Sequence, residues 1–342
     1  TTNTISSFKP TASGMALVYL RGGPMQFVYR DFLNDQLNGP SSRSDRPNFR
    51  LPTSVSQMLV TRGDEVMFRA ETYTAPFAWW KFDANKSRDN AEATALKGTS
   101  PASFDDIEAV RVTVKSKDGT SVPMTLIKRE GTRLTGENPT LLYGYGGYGI
   151  SMTPRFDATR RVWFDQGGVL AIANLRGGGE FGEAWHQAGM LEKKQNVFDD
   201  FIACAEALVS EKITRPDRLA IMGGSNGGLL VSAAVTQRPE LFRVGLALVP
   251  LTDMLRYHQF RIGKLWIPEY GSADDPEQFK WLHAYSPYHR VKDGTRYPSM
   301  LFTTAESDSR VDPLHARKMA ARMQEAQGDA SHPIFLRVET KA

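Results

Sequence analysis

The sequence predicts an α/β fold in which a mostly parallel sheet is covered by helices on both faces, preceded by an all-β segment. Between residues 140 and 338, short apolar runs typical of buried strands alternate with helical patterns, as they do where helices join parallel strands. Up to about residue 85, β-prone runs instead follow one another with only turn residues between them. A chain of 342 residues has room for two domains, and we expect a boundary where the two patterns meet.

The all-β segment covers residues 1 to about 85. Each of its strands is short and bounded by turn residues, and Arg62-Gly63-Asp64 is typical of a hairpin. Repeated units of this kind resemble the blades of a β-propeller, in which each meander needs neighbours to cover its faces. About two blades fit, too few to close a ring, so we expect the chain to lack the N-terminal part of this domain. The predicted strands are 15–20, 26–30, 56–61, 65–70 and 78–82.

A polar stretch over residues 86–107 predicts a linker. We therefore expect residues 1–107 to be a partial β-propeller with its linker, and residues 108–342 to be a second domain. That domain begins with a hairpin around Lys117-Asp118-Gly119, and an antiparallel hairpin leading into a mostly parallel sheet is how α/β-hydrolase folds begin. Its predicted strands are 108–114, 121–127, 140–143, 168–173, 219–222, 244–249, 300–304 and 334–338, and its predicted helices are 157–166, 197–211, 227–237 and 314–326.

Composition and charge exclude several function classes. The 42 basic and 38 acidic side chains leave a net charge of +4, and no basic run or interleaved aromatic patch suggests nucleic acid. A single cysteine, Cys204, excludes an intrachain disulfide framework. No apolar run is long enough to span a membrane, and no clustered His, Cys or carboxylate spacing fits a metal site. We expect no cofactor, no metal, no nucleic acid and no membrane partner.

The residues that point to chemistry lie in Gly223-x-Ser225-x-Gly227. A short buried strand precedes this motif and a helix rich in small residues follows it, which is the context of a nucleophile elbow. There the glycines relieve clashes in a tight turn, and the strained serine presents its hydroxyl at a helix N-terminus. A phosphate-binding loop is the alternative, but it would have Gly-Lys-Ser/Thr, which does not follow. Ser225 is therefore the candidate nucleophile.

Three carboxylates compete for the acid of a Ser-Asp-His triad, which would follow the strand predicted at 300–304. Glu306 comes one residue after that strand, and Asp312 stands directly before Pro313, a natural place for a helix to start. Asp308 lies in mid-loop, where a side chain can reach back over the edge of the sheet. We favour Asp308, with a merely turn-forming aspartate as the alternative.

A glycine-rich loop over residues 143–149 stands where lipases carry an oxyanion loop. Its glycines permit close approach of the backbone, and its tyrosines add hydroxyl donors. Together with the backbone N–H of Asn226, the loop is a candidate oxyanion hole. Taken alone, the loop also fits a flexible turn.

Several segments together resemble the prolyl oligopeptidase family of serine peptidases. The resemblance covers residues 108–342 continuously, and the β-rich start would correspond to the last blades of that family's seven-bladed propeller. The segments that carry it are 143–148, 174–182, 194–201, 223–230, 237–242, 285–288 and 297–301.

The resemblance implies roles for catalytic residues. It makes Ser225 the nucleophile and Asp308 the triad acid, with the Tyr145 hydroxyl donating to the oxyanion beside the Asn226 backbone. In the family the catalytic histidine follows the last strand in a Gly-His-Gly sequence. None of the six histidines stands there, since the chain stops at Ala342. We therefore expect either a fragment or a chain that is inactive as written; His315 and His332 are poor substitutes.

The resemblance also implies a substrate pocket. Trp266 would stack on a proline ring, Arg310 would bind a substrate carbonyl, and the other walls would come from Tyr270, Tyr148 and Leu251. Tyr148 stands where animal members of the family have Phe, and Leu251 where they have Val. From the residues alone, Trp266 also fits a core aromatic and Arg310 a surface ion pair.

These inferences lead to one function and two alternatives. The first is a serine endopeptidase that cleaves short peptides on the carboxyl side of proline through an acyl-enzyme. It would have short proline-containing peptides as partners and be a monomer in its full-length form. A peptidase like oligopeptidase B, with basic specificity, is one alternative. A hydrolase-like binding module without turnover is the other, because the triad histidine is absent.

Overall fold

The computed structural model describes residues 4–32, 53–86 and 91–340. The chain divides into two compact units. The first comprises Thr1–Val110, Ile127–Glu130 and Thr153–Gln166, and the second comprises Arg111–Leu126, Gly131–Met152 and Gly167–Ala342. The domain boundary that the sequence predicts after residue 107 stays a prediction.

The first unit is built on a seven-stranded sheet whose strands lie side by side in chain order. Neighbouring strands are antiparallel, and alternate apolar side chains on one face form a core in which the rings of Phe27 and Phe68 stack at 4.4 Å. All five strands predicted here are present. The strands are β1 (Thr4–Pro10), β2 (Gly14–Leu20), β3 (Met25–Asp31), β4 (Thr53–Arg62), β5 (Glu65–Thr72), β6 (Ala78–Asp83) and β7 (Glu92–Lys97).

Part of the stretch predicted as a linker is a strand. Strand β7 pairs with β6 along its length, although most of its side chains are exposed. Residues 87–90 of the predicted linker lie outside the described residues. The polar composition that suggested a linker reflects the position of β7 at the edge of the sheet, where little apolar surface is buried.

The second sheet has eight strands in the order β15-β14-β13-β12-β10-β11-β9-β8. The recorded pairs from β11 to β15 are parallel, as the apolar runs predict. Each predicted strand is present with small shifts at its ends. The strands are β8 (Ile107–Lys115), β9 (Ser121–Arg129), β10 (Thr140–Tyr143), β11 (Val169–Ala173), β12 (Leu219–Gly224), β13 (Val244–Leu248), β14 (Ser299–Ala305) and β15 (Ile334–Glu339).

Eight α-helices belong to the described residues. Helix α4 contacts β12 and β13, and α8 contacts β14 and β15, so apolar helix faces and buried strands share one core. The four predicted helices are α1, α3, α4 and α8, and the sequence did not predict the shorter ones. The helices are α1 (Arg160–Asp165), α2 (Glu183–Gln187), α3 (Gln195–Ser210), α4 (Asn226–Gln237), α5 (Ile267–Tyr270), α6 (Pro276–Tyr285), α7 (Pro287–Arg290) and α8 (Leu314–Ala326). Across the described ranges, none is long and apolar enough to cross a membrane.

The order of the strands determines where a site can form. Strand β10 pairs with β11 on one side and with β12 on the other, so the direction of the connections reverses at β10. Tyr143, at the end of β10, is opposite Met222 of β12. The loops that leave the carboxyl ends of β10 and β12 therefore meet at a topological switch point, the usual place for a ligand in such sheets.

Candidate active site

Ser225 occupies a strained turn between β12 and α4. Its backbone has φ 57° and ψ −118°, a conformation that residues other than glycine rarely adopt. The turn is held by the Ser225 N–H, which donates to the Leu248 carbonyl at 2.8 Å, and by the Ser225 carbonyl, which accepts from Gly228 N–H at 2.9 Å. A Cβ at Gly223 would lie 2.3 Å from the carbonyl oxygen of Gly227, so the first glycine of the motif is sterically required.

The loop after β10 brings Tyr145 to the serine. Burial raises the pKa of Tyr145 above its ordinary value, while a hydrogen bond with Ser225 and the charge of Arg310 act against the rise. The Tyr145 hydroxyl therefore keeps its proton at neutral pH and can donate a hydrogen bond. Arg310 is exposed in the loop after β14, a different strand, and its charge acts on this hydroxyl.

The side chain of Asn226 connects this loop to the pocket residues. Its Nδ2 donates to the Tyr145 carbonyl at 2.6 Å, and its Oδ1 accepts from the Tyr270 hydroxyl at 2.8 Å. A Cβ at Gly147 would lie 2.7 Å from Nδ2, so only glycine lets the loop pass so close. The Asn226 backbone N–H is at the first position of α4, where helical amides have no acceptor within the helix.

The residues expected to wall a substrate pocket differ in accessibility. Trp266 and Tyr148 are half-buried, and the Tyr148 ring meets the Tyr270 ring edge-on at 5.7 Å. Tyr270 and Leu251 are buried, at 0% and 1% exposure. In this structure these two side chains present no surface to a substrate, so the expectation that they wall an open pocket is not met.

Asp308 lies in the loop after β14, partly exposed. Its Oδ1 accepts hydrogen bonds from the backbone N–H groups of Arg310 at 2.9 Å and Val311 at 3.0 Å, which fixes the orientation of the carboxylate. The competing carboxylates have other partners. Glu306 pairs with Arg317 at 3.5 Å, and Asp312 accepts from Leu314 N–H at 2.9 Å at the start of α8.

Within the described residues, none of the six histidines is hydrogen-bonded to Ser225. His315 is buried and accepts from two backbone N–H groups through Nδ1, and burial lowers its pKa to about 4. His332 contacts Arg243 and Asp329. Each of the other four histidines contacts a residue other than Ser225. The pairs are His186 with Glu269, His258 with Asp274, His283 with Phe279, and His289 with Ser286.

Sequence reasoning missed a buried charged cluster behind the loop. Lys194 is 1% exposed, Glu269 is 4% exposed, and their charged groups lie 3.1 Å apart. His186 contacts the other oxygen of Glu269 at 2.8 Å. A lysine before a helix and a glutamate between aromatic residues give no sequence signal, because isolated charged residues are usually solvated. Across the described segments, no group of three or more His, Cys, Asp and Glu side chains is arranged to hold a metal ion.

This arrangement supplies two of the parts that acyl transfer needs. A strained hydroxyl stands at a helix N-terminus. Two hydrogen-bond donors are available, the Tyr145 hydroxyl in the loop after β10 and the Asn226 N–H at the first position of α4. Donors of this kind stabilise the oxyanion of a tetrahedral intermediate. A general base beside Ser225 is the part that the described residues do not provide.

Comparison with known proteins finds similar sequences of one family. A model of the prolyl oligopeptidase family matches residues 154–341. The chain is 40% identical over 279 residues to the prolyl endopeptidase of Elizabethkingia miricola, which covers 81% of this chain and 39% of that protein. It is 34% identical over 332 residues to prolyl oligopeptidase ophP of Omphalotus olearius, which covers 95% of this chain and 43% of that protein.

Solved structures are similar along nearly the whole chain. A structure from a study of two prolyl endopeptidases has a TM-score of 0.89 at 43% identity and covers 99% of this chain and 49% of that one. Prolyl oligopeptidase B from Galerina marginata, bound to a 35mer hydrolysis and macrocyclization substrate, has a TM-score of 0.90 at 28% identity. The match covers 99% of this chain and 48% of that one. The chain thus spans less than half of the length of these relatives.

The expected fold, an α/β-hydrolase fold preceded by propeller-like strands, is confirmed by these structures. The family match extends over more than half of the sequence and includes the turn that carries Ser225. The chain therefore belongs to the prolyl oligopeptidase family of serine peptidases.

Proposed function

We propose that this protein is a serine endopeptidase that cleaves short peptides on the carboxyl side of proline through an acyl-enzyme on Ser225. Relatives named prolyl endopeptidase support the substrate class, and the family supports peptidase chemistry. The observation that carries the proposal is the contact of the Tyr145 side chain with the turn that holds Ser225: a Cβ at Gly227 would lie 3.5 Å from Tyr145 Cδ2. This contact joins a tyrosine that keeps its proton to the turn of a strained nucleophile, as an oxyanion hole requires.

The proposed reaction begins with attack of Ser225 Oγ on the carbonyl carbon that follows the proline ring. The Oγ proton passes to a histidine, which the family resemblance places after β15 and which Asp308 orients. The oxyanion accepts hydrogen bonds from the Tyr145 hydroxyl and the Asn226 N–H. The histidine then protonates the leaving amine, and water hydrolyses the acyl-enzyme by the same steps.

Specificity in this proposal comes from an aromatic pocket. The proline ring stacks on Trp266 and contacts Tyr148, while Tyr270 and Leu251 hold the pocket from behind. Arg310, which is exposed, binds a carbonyl of the peptide. A pyrrolidine ring offers a flat apolar surface and no N–H, so an apolar aromatic pocket favours it over polar side chains.

The proposal extends to the organisation of the protein. Residues 1–107 would be propeller blades with their linker, and residues 108–342 would belong to the hydrolase domain. Short proline-containing peptides would be the partners of a monomeric full-length protein.

The test is hydrolysis of blocked chromogenic dipeptides with Pro, Ala or Arg before the scissile bond, by the protein as its gene encodes it. We expect cleavage after Pro, with a burst of released chromophore as the acyl-enzyme forms. Ser225→Ala should lower turnover on the order of a million-fold. Ser210→Ala, at the exposed end of α3, is the matched control and should leave turnover unchanged. Preferred cleavage after Arg, or wild-type turnover by Ser225→Ala, would contradict the proposal.

A further inference from the structure

A buried ion pair lies behind the candidate site. Lys194 directly precedes α3, and Glu269 belongs to α5, the short helix that follows Trp266 and ends at Tyr270. The Lys194 ammonium lies 3.1 Å from Glu269 Oε1, and the two residues are 1% and 4% exposed. Burial lowers the pKa of Lys194, and the charge of Glu269 opposes this shift.

The pair binds the loop that carries Tyr145 at two positions just after that tyrosine. The Lys194 ammonium donates to the Gly146 carbonyl at 3.0 Å, and Glu269 Oε1 accepts from the Tyr148 N–H at 3.1 Å. Tyr148 has φ 57°, a left-handed conformation that a bulky residue keeps only when its surroundings impose it. Glu269 is the partner that holds this strained amide.

The same glutamate belongs to the helix that carries the pocket aromatics. Its neighbour Tyr270 donates to Asn226, whose amide donates to the Tyr145 carbonyl, and the Lys194 ammonium lies 5.1 Å from the centre of the Tyr270 ring. Two chains of contacts therefore join α5 to the loop. One passes through the ion pair, and the other passes through Tyr270 and Asn226.

Stability alone gives no reason for such a pair. Replacing a buried ion pair by apolar groups of similar volume is often neutral or stabilising, because the charges lose their hydration. Lys194 also stands at the N-terminal end of α3, where the helix dipole disfavours a cation. The pair is costly to bury, whereas its four directional hydrogen-bonding contacts all fix the loop or α5.

We infer that Lys194 and Glu269 are positioning residues that set the oxyanion loop and the proline pocket in register with each other. The inference rests on the proposed function for its effect on catalysis. Through Gly146 and Tyr148, the pair fixes the direction of the Tyr145 hydroxyl toward Ser225. Through α5, it fixes Trp266 and Tyr270 relative to that hydroxyl.

The test uses the double variant Lys194→Met/Glu269→Gln in the protein as its gene encodes it. Both substitutions keep the length of the side chain and remove the charge, so no unpaired buried charge remains, as it would in either single variant. The matched control is Lys128→Met/Glu108→Gln, which removes the partly buried pair that joins β8 and β9. Amide hydrogen exchange of residues 144–149 is measured first, followed by kcat and KM for a proline dipeptide substrate.

We expect exchange of the loop amides to be at least tenfold faster in the Lys194/Glu269 variant and unchanged in the control. We expect kcat to fall at least tenfold with the thermal midpoint close to that of the parent, because positioning is lost while packing is kept. Unchanged exchange would overturn the inference whatever the activity. A kcat within threefold of the parent would also overturn it. If the parent itself does not cleave after proline, the proposed function fails, and the exchange result still decides whether the pair positions the loop.

Discussion

Glu180 leads to a prediction about the pH dependence of stability. Its side chain is 1% exposed, in the glycine-rich segment that follows β11. Oε1 accepts from the Met152 N–H at 2.8 Å and from Asn174 Nδ2 at 3.2 Å, whereas Oε2 has no hydrogen-bond partner within the described residues. Burial raises the pKa of Glu180 to about 7, because the two hydrogen bonds to Oε1 only partly oppose the loss of hydration.

The direction of the effect follows from the two protonation states. The ordinary pKa is 4.5 and the folded value is about 7, so the folded protein holds this proton more tightly than the unfolded chain does. The contribution to stability is complete below about pH 4.5 and is lost as the pH rises through about 7. The difference corresponds to on the order of 3 kcal/mol in the free energy of unfolding.

The perturbation is Glu180→Gln, which keeps Oε1 as an acceptor and cannot ionise. At pH 5 the variant should unfold at nearly the same temperature as the parent. At pH 8 it should be more stable, by roughly 5–10 °C in thermal midpoint for a unit of this size. Glu325→Gln, on the exposed face of α8, is the control and should not change the pH profile. Parallel profiles for the parent and Glu180→Gln, followed by circular dichroism, would refute the assignment of a buried protonated carboxyl.

Three further predictions concern the candidate site. Tyr145→Phe should lower kcat for a proline substrate on the order of 100- to 1,000-fold with little change in KM, since one oxyanion donor is lost; an unchanged kcat would exclude that role. Trp266→Ala should reduce kcat/KM for proline substrates by roughly 5- to 150-fold more than for alanine substrates, which corresponds to about 1–3 kcal/mol of lost stacking and apolar burial. Equal losses on both substrates would mean that Trp266 is only structural. The 342-residue chain should hydrolyse little peptide by itself, because none of its described histidines contacts Ser225, and a version extended to the length of the relatives should be active. Turnover by the short chain that is lost on mutating His315 or His332 would show that the base is elsewhere.

Strands with apolar runs could be predicted from the sequence, whereas exposed strands of mixed composition and very short helices could not. Strand β10 was predicted with its observed ends, and β11 through β15 differ from prediction only by end residues, because parallel strands covered by helices consist of apolar runs. Strand β1 is largely exposed and carries mixed polar residues, so its sequence shows no clear alternation. The short helices α5 and α7 have four residues each, which is too short for a helical period to be visible.

The candidate site was predictable where a local motif carries it. The turn at Ser225 requires glycines at fixed positions, so the glycine spacing in the sequence predicts the turn. The positions of Lys194 and Glu269 could not be predicted, because they depend on contacts between segments that are far apart in the chain. The pocket residues fall between these cases: resemblance indicated Tyr270, but only the structure places its hydroxyl on Asn226 rather than on open surface.

The loop after β10 is fixed by charged side chains that lie far from it in the sequence, in addition to its glycines. Gly146 and Gly149 adopt left-handed backbone angles. Glycine can also adopt many other angles and loses more conformational entropy on ordering than other residues do, so the glycines alone do not fix one conformation of the loop. One conformation is selected by two distant residues. Lys194, 48 residues along the chain from Gly146, donates to the Gly146 carbonyl, and Glu269, 121 residues from Tyr148, accepts from the Tyr148 N–H. Apolar side chains could fill the same volume with similar stability, yet they would bind neither the carbonyl nor the strained amide. A buried ion pair is therefore the arrangement that converts a flexible glycine loop into one with a single geometry.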